Sequence, residues 1–72
     1  MPLSIVKVGD KVRILRVIGS EMTKKHLGAL GFVPGAVVVV VTATDDNLIV
    51  AIHDSRIAIA GEVSRHVIVE PV

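Results

Sequence analysis

The stretch Leu27-Gly28-Ala29-Leu30-Gly31-Phe32-Val33-Pro34-Gly35, running on into Ala36-Val37-Val38-Val39-Val40-Val41, decides how this chain folds. Its pattern changes period in the middle. On the N-terminal side, Met22, His26, Ala29 and Leu30 share one side at helical spacing with Leu27 beside them, while Lys24 and Lys25 fall elsewhere. Ser20 is placed to cap that helix with its hydroxyl, and Glu21 suits the positive end of the helix dipole. Gly31 ends the helix, because glycine takes the left-handed conformation without steric cost. Gly28 inside it costs about 1 kcal/mol relative to alanine, so so short a helix must be held by packing on a sheet. Val33-Pro34-Gly35-Ala36 then reads as a type II turn, with Pro presetting the second position and Gly supplying positive φ at the third. Residues 36–44 follow as a strand.

Upstream, residues 3–8 form an apolar lead-in closed by the turn signal Gly9-Asp10. Lys11-Val12-Arg13-Ile14 alternates polar and apolar, the mark of a half-buried strand over residues 11–18. The alternation slips at Leu15-Arg16-Val17. If Ile14 and Val17 both face inward, a β-bulge takes up the extra residue. Downstream, Asp45-Asp46-Asn47 turns into a strand over residues 48–52, and His53-Asp54-Ser55 into another over 56–60. Residues 61–65 break the pattern with room for one helical turn, and residues 66–70 form the closing strand. The expectation is a mainly β fold, a small barrel of about five strands with one short helix inserted after the first, as a single domain over residues 1–72.

Hydrophobic residues make up 51% of the chain, yet Phe32 is the only aromatic one, so the core is built from Val, Ile, Leu and Ala. The absence of cysteine removes disulfides, thiolate metal sites and thiol nucleophiles, and fits a reducing cytoplasm. No apolar run approaches the roughly 20 residues that span a bilayer. Met1-Pro2-Leu3-Ser4-Ile5 lacks the basic-then-apolar pattern of a secretory signal, so the expected location is cytoplasmic. Net charge is +1 and Lys24-Lys25 is the only adjacent basic pair, too little for a phosphate-binding face, and one aromatic ring cannot stack a single strand. Nucleic acid is not an expected partner.

Neighbouring strand residues point to opposite faces. Either Val37, Val39 and Val41 or Val38 and Val40 therefore face outward, and Ile49-Val50-Ala51-Ile52 and Ile57-Ala58-Ile59-Ala60 repeat the problem. The helix, through Met22, Leu27 and Leu30, is expected to cover part of this outer face, and the remainder to serve as an interface. An uncovered edge strand offers a further route, pairing with a partner strand or a second copy of the chain.

Gly9, Gly19 and above all Leu27-Gly28-Ala29-Leu30-Gly31-Phe32-Val33-Pro34-Gly35 resemble the family of ferrous iron transport protein A, the FeoA domain. Ala58 with Ile59, then Ser64 with Val67 and Val69, are similar to that family's C-terminal pattern. The chain departs from it at His26 and Ala60, where Arg is common, and at Ser64, where Ala is usual. The resemblance implies an SH3-like barrel and an accessory or regulatory role in ferrous iron uptake; the residues themselves lead to the expectation of no enzymatic activity and no cofactor. The implied partner is the ferrous iron transporter B protein, a membrane permease with a cytoplasmic GTP-binding domain. The expected contact residues are Met22, Lys24, Lys25, Leu27, Leu30, Phe32, Pro34 and Val39, with Arg56 at the rim.

The rival reading is a metal sensor in which His26, His53 or His66, helped by Asp54 or Glu62, binds ferrous iron itself. The three histidines occur singly on a helix, a turn and a strand, with no local ligand motif. His53-Asp54-Ser55 contains the residue types of a nucleophilic triad, but consecutive turn residues diverge, and a turn-forming role is the simpler account. Gly28, Gly31 and Gly35 lack the Lys-Ser/Thr of a P-loop. Recognition of proline-rich peptides needs an aromatic-lined groove that Phe32 alone cannot build.

Overall fold

Alternation along the first strand sets the inside of the barrel. In the computed structural model, which describes residues 1–72, Val12 and Ile14 of β1 (Lys11–Val17) are buried while Lys11 and Arg13 face out. The pairing of β1 with β5 (Val67–Pro71) shifts register between Ile14 and Arg16. The extra residue, Leu15, is left exposed, and Val17 returns to pack against the core. This is the bulge that the broken alternation predicts.

The helix α1 (Glu21–Ala29) starts and stops where the sequence indicates. The Thr23 amide donates to Ser20 Oγ at 3.1 Å, satisfying one orphan donor of the first turn. At the other end Gly31 has φ of 103°; its amide donates to Gly28 O at 3.0 Å and that of Phe32 to Leu27 O at 3.0 Å. These two bonds form a Schellman motif, and its usual apolar contact is supplied by Leu27 and Phe32, both fully buried. The turn after it has Gly35 at φ 91° and a 3.1 Å bond from the Ala36 amide to Val33 O, as a type II turn requires.

The helical face differs from expectation. Met22, His26 and Ala29 are exposed, and the packed side is Thr23, Leu27 and Leu30. The C-terminal motif locks Leu27 against Phe32, and that leaves Met22 exposed to solvent and His26 at the exposed edge of the helix beside β4. The helix therefore plugs the barrel with Leu27 instead of covering the outer valines.

Strands β2 (Val37–Ala43), β3 (Asn47–Ile52) and β4 (Ser55–Ala60) continue the antiparallel sheet in the order β4-β3-β2-β1-β5. Val38 and Val40 point inward and Val37 and Val39 outward. A second bulge, at Val41, shifts the β2–β3 register between Val40 and Thr42; the uninterrupted run of β-branched residues hides it from sequence. The short helix α2 (Gly61–Ser64) buries Ser64, whose hydroxyl donates to Gly61 O at 2.6 Å. The lead-in is structural: Leu3, in a single 3-10 turn (Leu3–Ile5), and Val6 join the core. Met1 and Val69 exchange two backbone hydrogen bonds, of 3.0 and 2.7 Å, and Pro2 bridges Ile68, so the N-terminal segment covers part of the β5 edge. No helix is long and apolar enough to cross a membrane.

Replacing Leu27 with Ala is expected to lower unfolding free energy by about 2–5 kcal/mol, as in other buried leucine truncations. Met22→Ala, at a side chain 82% exposed, is expected to change it by less than about 0.5 kcal/mol. Gly31→Ala forces a side chain into positive φ and is expected to destabilise by about 1 kcal/mol or more. Urea unfolding midpoints, followed by far-UV circular dichroism, compare the three.

Candidate partner-docking surface

The residue pairings define a row across the outside of the sheet. Lys11 of β1 faces Val39 of β2, Val39 faces Ala51 of β3, and Ala51 faces Arg56 of β4. Strands are spaced about 4.8 Å apart, so the row is about 14 Å long, with a cation at each end and apolar residues between. In neighbouring rows Val37 faces Arg13, and Ile49 faces Ala58. Val39, Ile49 and Ala51 are half-buried and Val37 is exposed. Cross-strand neighbours at this spacing touch, so the stems of Lys11 and Arg56 shield the valine and alanine between them.

Charge on the strands is one-sided. The outward ionisable residues are Lys11, Arg13, Arg16 and Arg56 against Glu70 alone, and Glu70 pairs with Arg13 at 3.5 Å. The aspartates and the remaining glutamates lie in turns and helices. Lys11 and Arg13 were legible as outward residues from the alternation of β1, but their place beside Val39 and Val37 depends on strand pairing, which the sequence does not display.

The expected contact residues separate into five places: the exposed face of α1, a turn, the outer sheet, the core and a groove. Met22, Lys24 and Lys25 are exposed on α1, where Lys24 pairs with Glu21 at 3.7 Å and Lys25 makes no ion pair. Pro34 is exposed in a turn that the Gly35 amide ties to Ile14 O of β1. Val39 lies on the outer sheet. Leu27 and Phe32, at 0% and 1% exposure, belong to the core, so they support a docking surface without touching a partner. Leu30 is half-buried against the core and lines a groove of about 250 Å³ with His26, Leu27, Ala58, Ile59, Ala60 and Val63.

The histidines do not converge. His26 lies on α1, His53 at the tip of the β3–β4 turn with φ of 53°, and His66 just before β5. No group of three His, Asp or Glu side chains is placed to hold a metal ion. The His66 ring packs against Gly19, where an added Cβ would lie 3.1 Å from Nδ1, and that buried nitrogen has no hydrogen-bond partner. A larger, polar cleft of about 430 Å³ between the β2–β3 turn and α2 is lined by Asp45, Asp46, Glu62 and Arg65 among others. Ser20 and Ser64 use their hydroxyls in the two helices, and neither bonds a histidine.

Comparison with known proteins agrees with this architecture. No curated protein matches the chain by sequence. Among solved structures, an iron uptake regulatory protein, FeoA, superposes with a TM-score of 0.94 at 26% identity, covering 100% of this chain and 97% of the other. The FeoA protein of Chlorobium tepidum gives 0.91 at 23% identity, covering 100% of this chain and 70% of that one. FeoA of Stenotrophomonas maltophilia, solved with zinc and described as a prokaryotic SH3 domain protein, gives 0.85 at 24% identity over 97% and 89% of the two chains. The family model of the FeoA domain matches residues 1–71, and the chain belongs to that family.

Proposed function

We propose that this protein is a small cytoplasmic accessory protein of ferrous iron uptake that regulates the ferrous iron transporter B protein by binding it from the cytoplasmic side. Family membership carries the reading: FeoA proteins are associated with iron transport and are not an enzyme family. The Stenotrophomonas maltophilia relative is itself described as a proposed ferrous iron transport activating factor. The surface chemistry supports a protein partner. An outer sheet face with half-buried Val39 and Ala51 between Lys11 and Arg56, together with Lys25 on α1, suits an acidic surface that carries apolar residues.

The test is co-purification with the transporter from detergent-solubilised membranes, using this protein as bait. Val39→Asp places a carboxylate in the middle of the apolar row, and Lys25→Glu reverses an unpaired charge on the helix. Each is expected to weaken retention about tenfold, equivalent to about 1.4 kcal/mol, while leaving the melting transition cooperative. Folded variants that retain the transporter as well as the parent protein does would remove this surface from the proposal. A bait that captures no transporter at all would remove the partner.

A further inference from the structure

The two edges of the sheet are treated differently. On β5, the N-terminal segment occupies the outer side through the Met1–Val69 bonds and the Pro2–Ile68 bridge. On β4 nothing does, because β3 is its only neighbour. Antiparallel pairs alternate between residues that exchange hydrogen bonds and residues that do not. The β3–β4 ladder runs from Ile52↔Ser55 to Asn47↔Ala60, and the next bond, from the Gly61 amide to Asp46 O at 2.7 Å, fixes which set is which. Ser55, Ile57 and Ile59 bond to β3. The N–H and C=O groups of Arg56 and Ala58, and the N–H of Ala60, point the other way, and no other backbone group of the chain bonds them.

This open edge borders the groove between α1 and β4. Of the seven residues lining the groove, six are apolar and the seventh is His26; none is acidic. Its volume of about 250 Å³ is on the scale of a couple of aliphatic side chains. Along the edge the side chains are Arg56, Ala58 and Ala60, two of them too small to block a neighbour. A sheet edge is normally blunted by charge, proline or a covering segment. Here the single charge is a cation at one end.

We propose that β4 accepts an extended polypeptide segment as a sixth strand, with apolar side chains entering the α1–β4 groove and a carboxylate meeting Arg56. The unpaired backbone groups select an extended chain over a helix, the groove selects aliphatic side chains, and the cation with no acid among the lining residues selects an acidic segment. This inference stands apart from the identity of the transporter, since it specifies the conformation and charge of the bound segment.

The probe is a blocked hexapeptide alternating glutamate and valine, titrated into the labelled protein and followed by amide NMR and hydrogen exchange. In the free protein the Arg56 and Ala58 amides, which lack a backbone partner, are expected to exchange fast. Peptide is expected to shift both, to shift the Leu30 methyls, and to slow exchange at the two amides about tenfold. Ala58→Pro removes an N–H that β3 does not use, so it is expected to keep the fold and weaken binding about tenfold. Arg56→Glu, at an exposed side chain, keeps the test intact should the proline variant unfold: it is expected to reject the glutamate peptide and accept a lysine–valine peptide. No shift at Arg56 or Ala58, or charge-independent binding in Arg56→Glu, would overturn the proposal. Peptide shifts centred on Val39 and Ala51 would place the segment on the sheet face and would overturn the proposal as well. Protection of the same amides that rises with protein concentration alone would make the occupant a second copy of the chain, and the proposal as stated would fail.

Discussion

The contact between Leu27 and Phe32, closed by the 3.0 Å bond from the Phe32 amide to Leu27 O, holds the arrangement together. A domain of 72 residues with one aromatic ring has little volume with which to fill a barrel. It fills the barrel by bringing its largest core side chain and a helical leucine to the same place, five residues apart. The Schellman geometry joins them through the backbone as well as through side chains. With Phe32 fixed inside, the turn at Pro34-Gly35 delivers Val38 and Val40 inward and Val37 and Val39 outward, and β3 inherits the complementary parity through its register.

The same contact determines which surfaces remain free. Leu27 is committed to the interior, so α1 stands beside β4 with Leu30 half-buried and His26 facing the groove, and Met22 has nothing to pack on. A helix laid across the outer sheet would have hidden Val39, Ile49 and Ala51. A helix used as a plug leaves them half-open. The lead-in makes the opposite trade, putting Leu3 and Val6 inside and spending its backbone on the β5 edge. Both outer valines and the β4 edge follow from the scarcity of core volume.

Local chemistry was legible in the sequence, and partnership between distant segments was not. The Ser20 cap, the Gly31 stop, the Pro34-Gly35 turn and the bulge after Ile14 each rest on one or two residues whose backbone demands are specific. The rotation of α1 is not fixed by sequence spacing, because Met22, His26 and Ala29 are spaced as evenly as Thr23, Leu27 and Leu30, and only the Leu27–Phe32 contact chooses between them. The bulge at Val41 left no trace, since five consecutive valines carry no alternation to break. The role of Met1 and Pro2 on β5, and the pairing that brings Lys11 beside Val39, join residues far apart in the chain. Within the candidate surface, Lys25 and Arg56 were readable as outward residues; the parity that turns Val39 outward and the buried contact that takes Leu27 and Phe32 inside were not.

A net charge of +1 conceals how the charges are sorted. Strand positions that face solvent carry four cations and one carboxylate, and the turns and helices carry the other six carboxylates. Lysine and arginine suit the outside of a small barrel because their stems lie along apolar neighbours while their heads stay in water, which aspartate cannot do. Aspartate instead suits turns, where its short side chain meets nearby amides. Sorting by side-chain shape thus produces sorting by sign. The apolar outer rows end up framed by positive charge without any cost to the core.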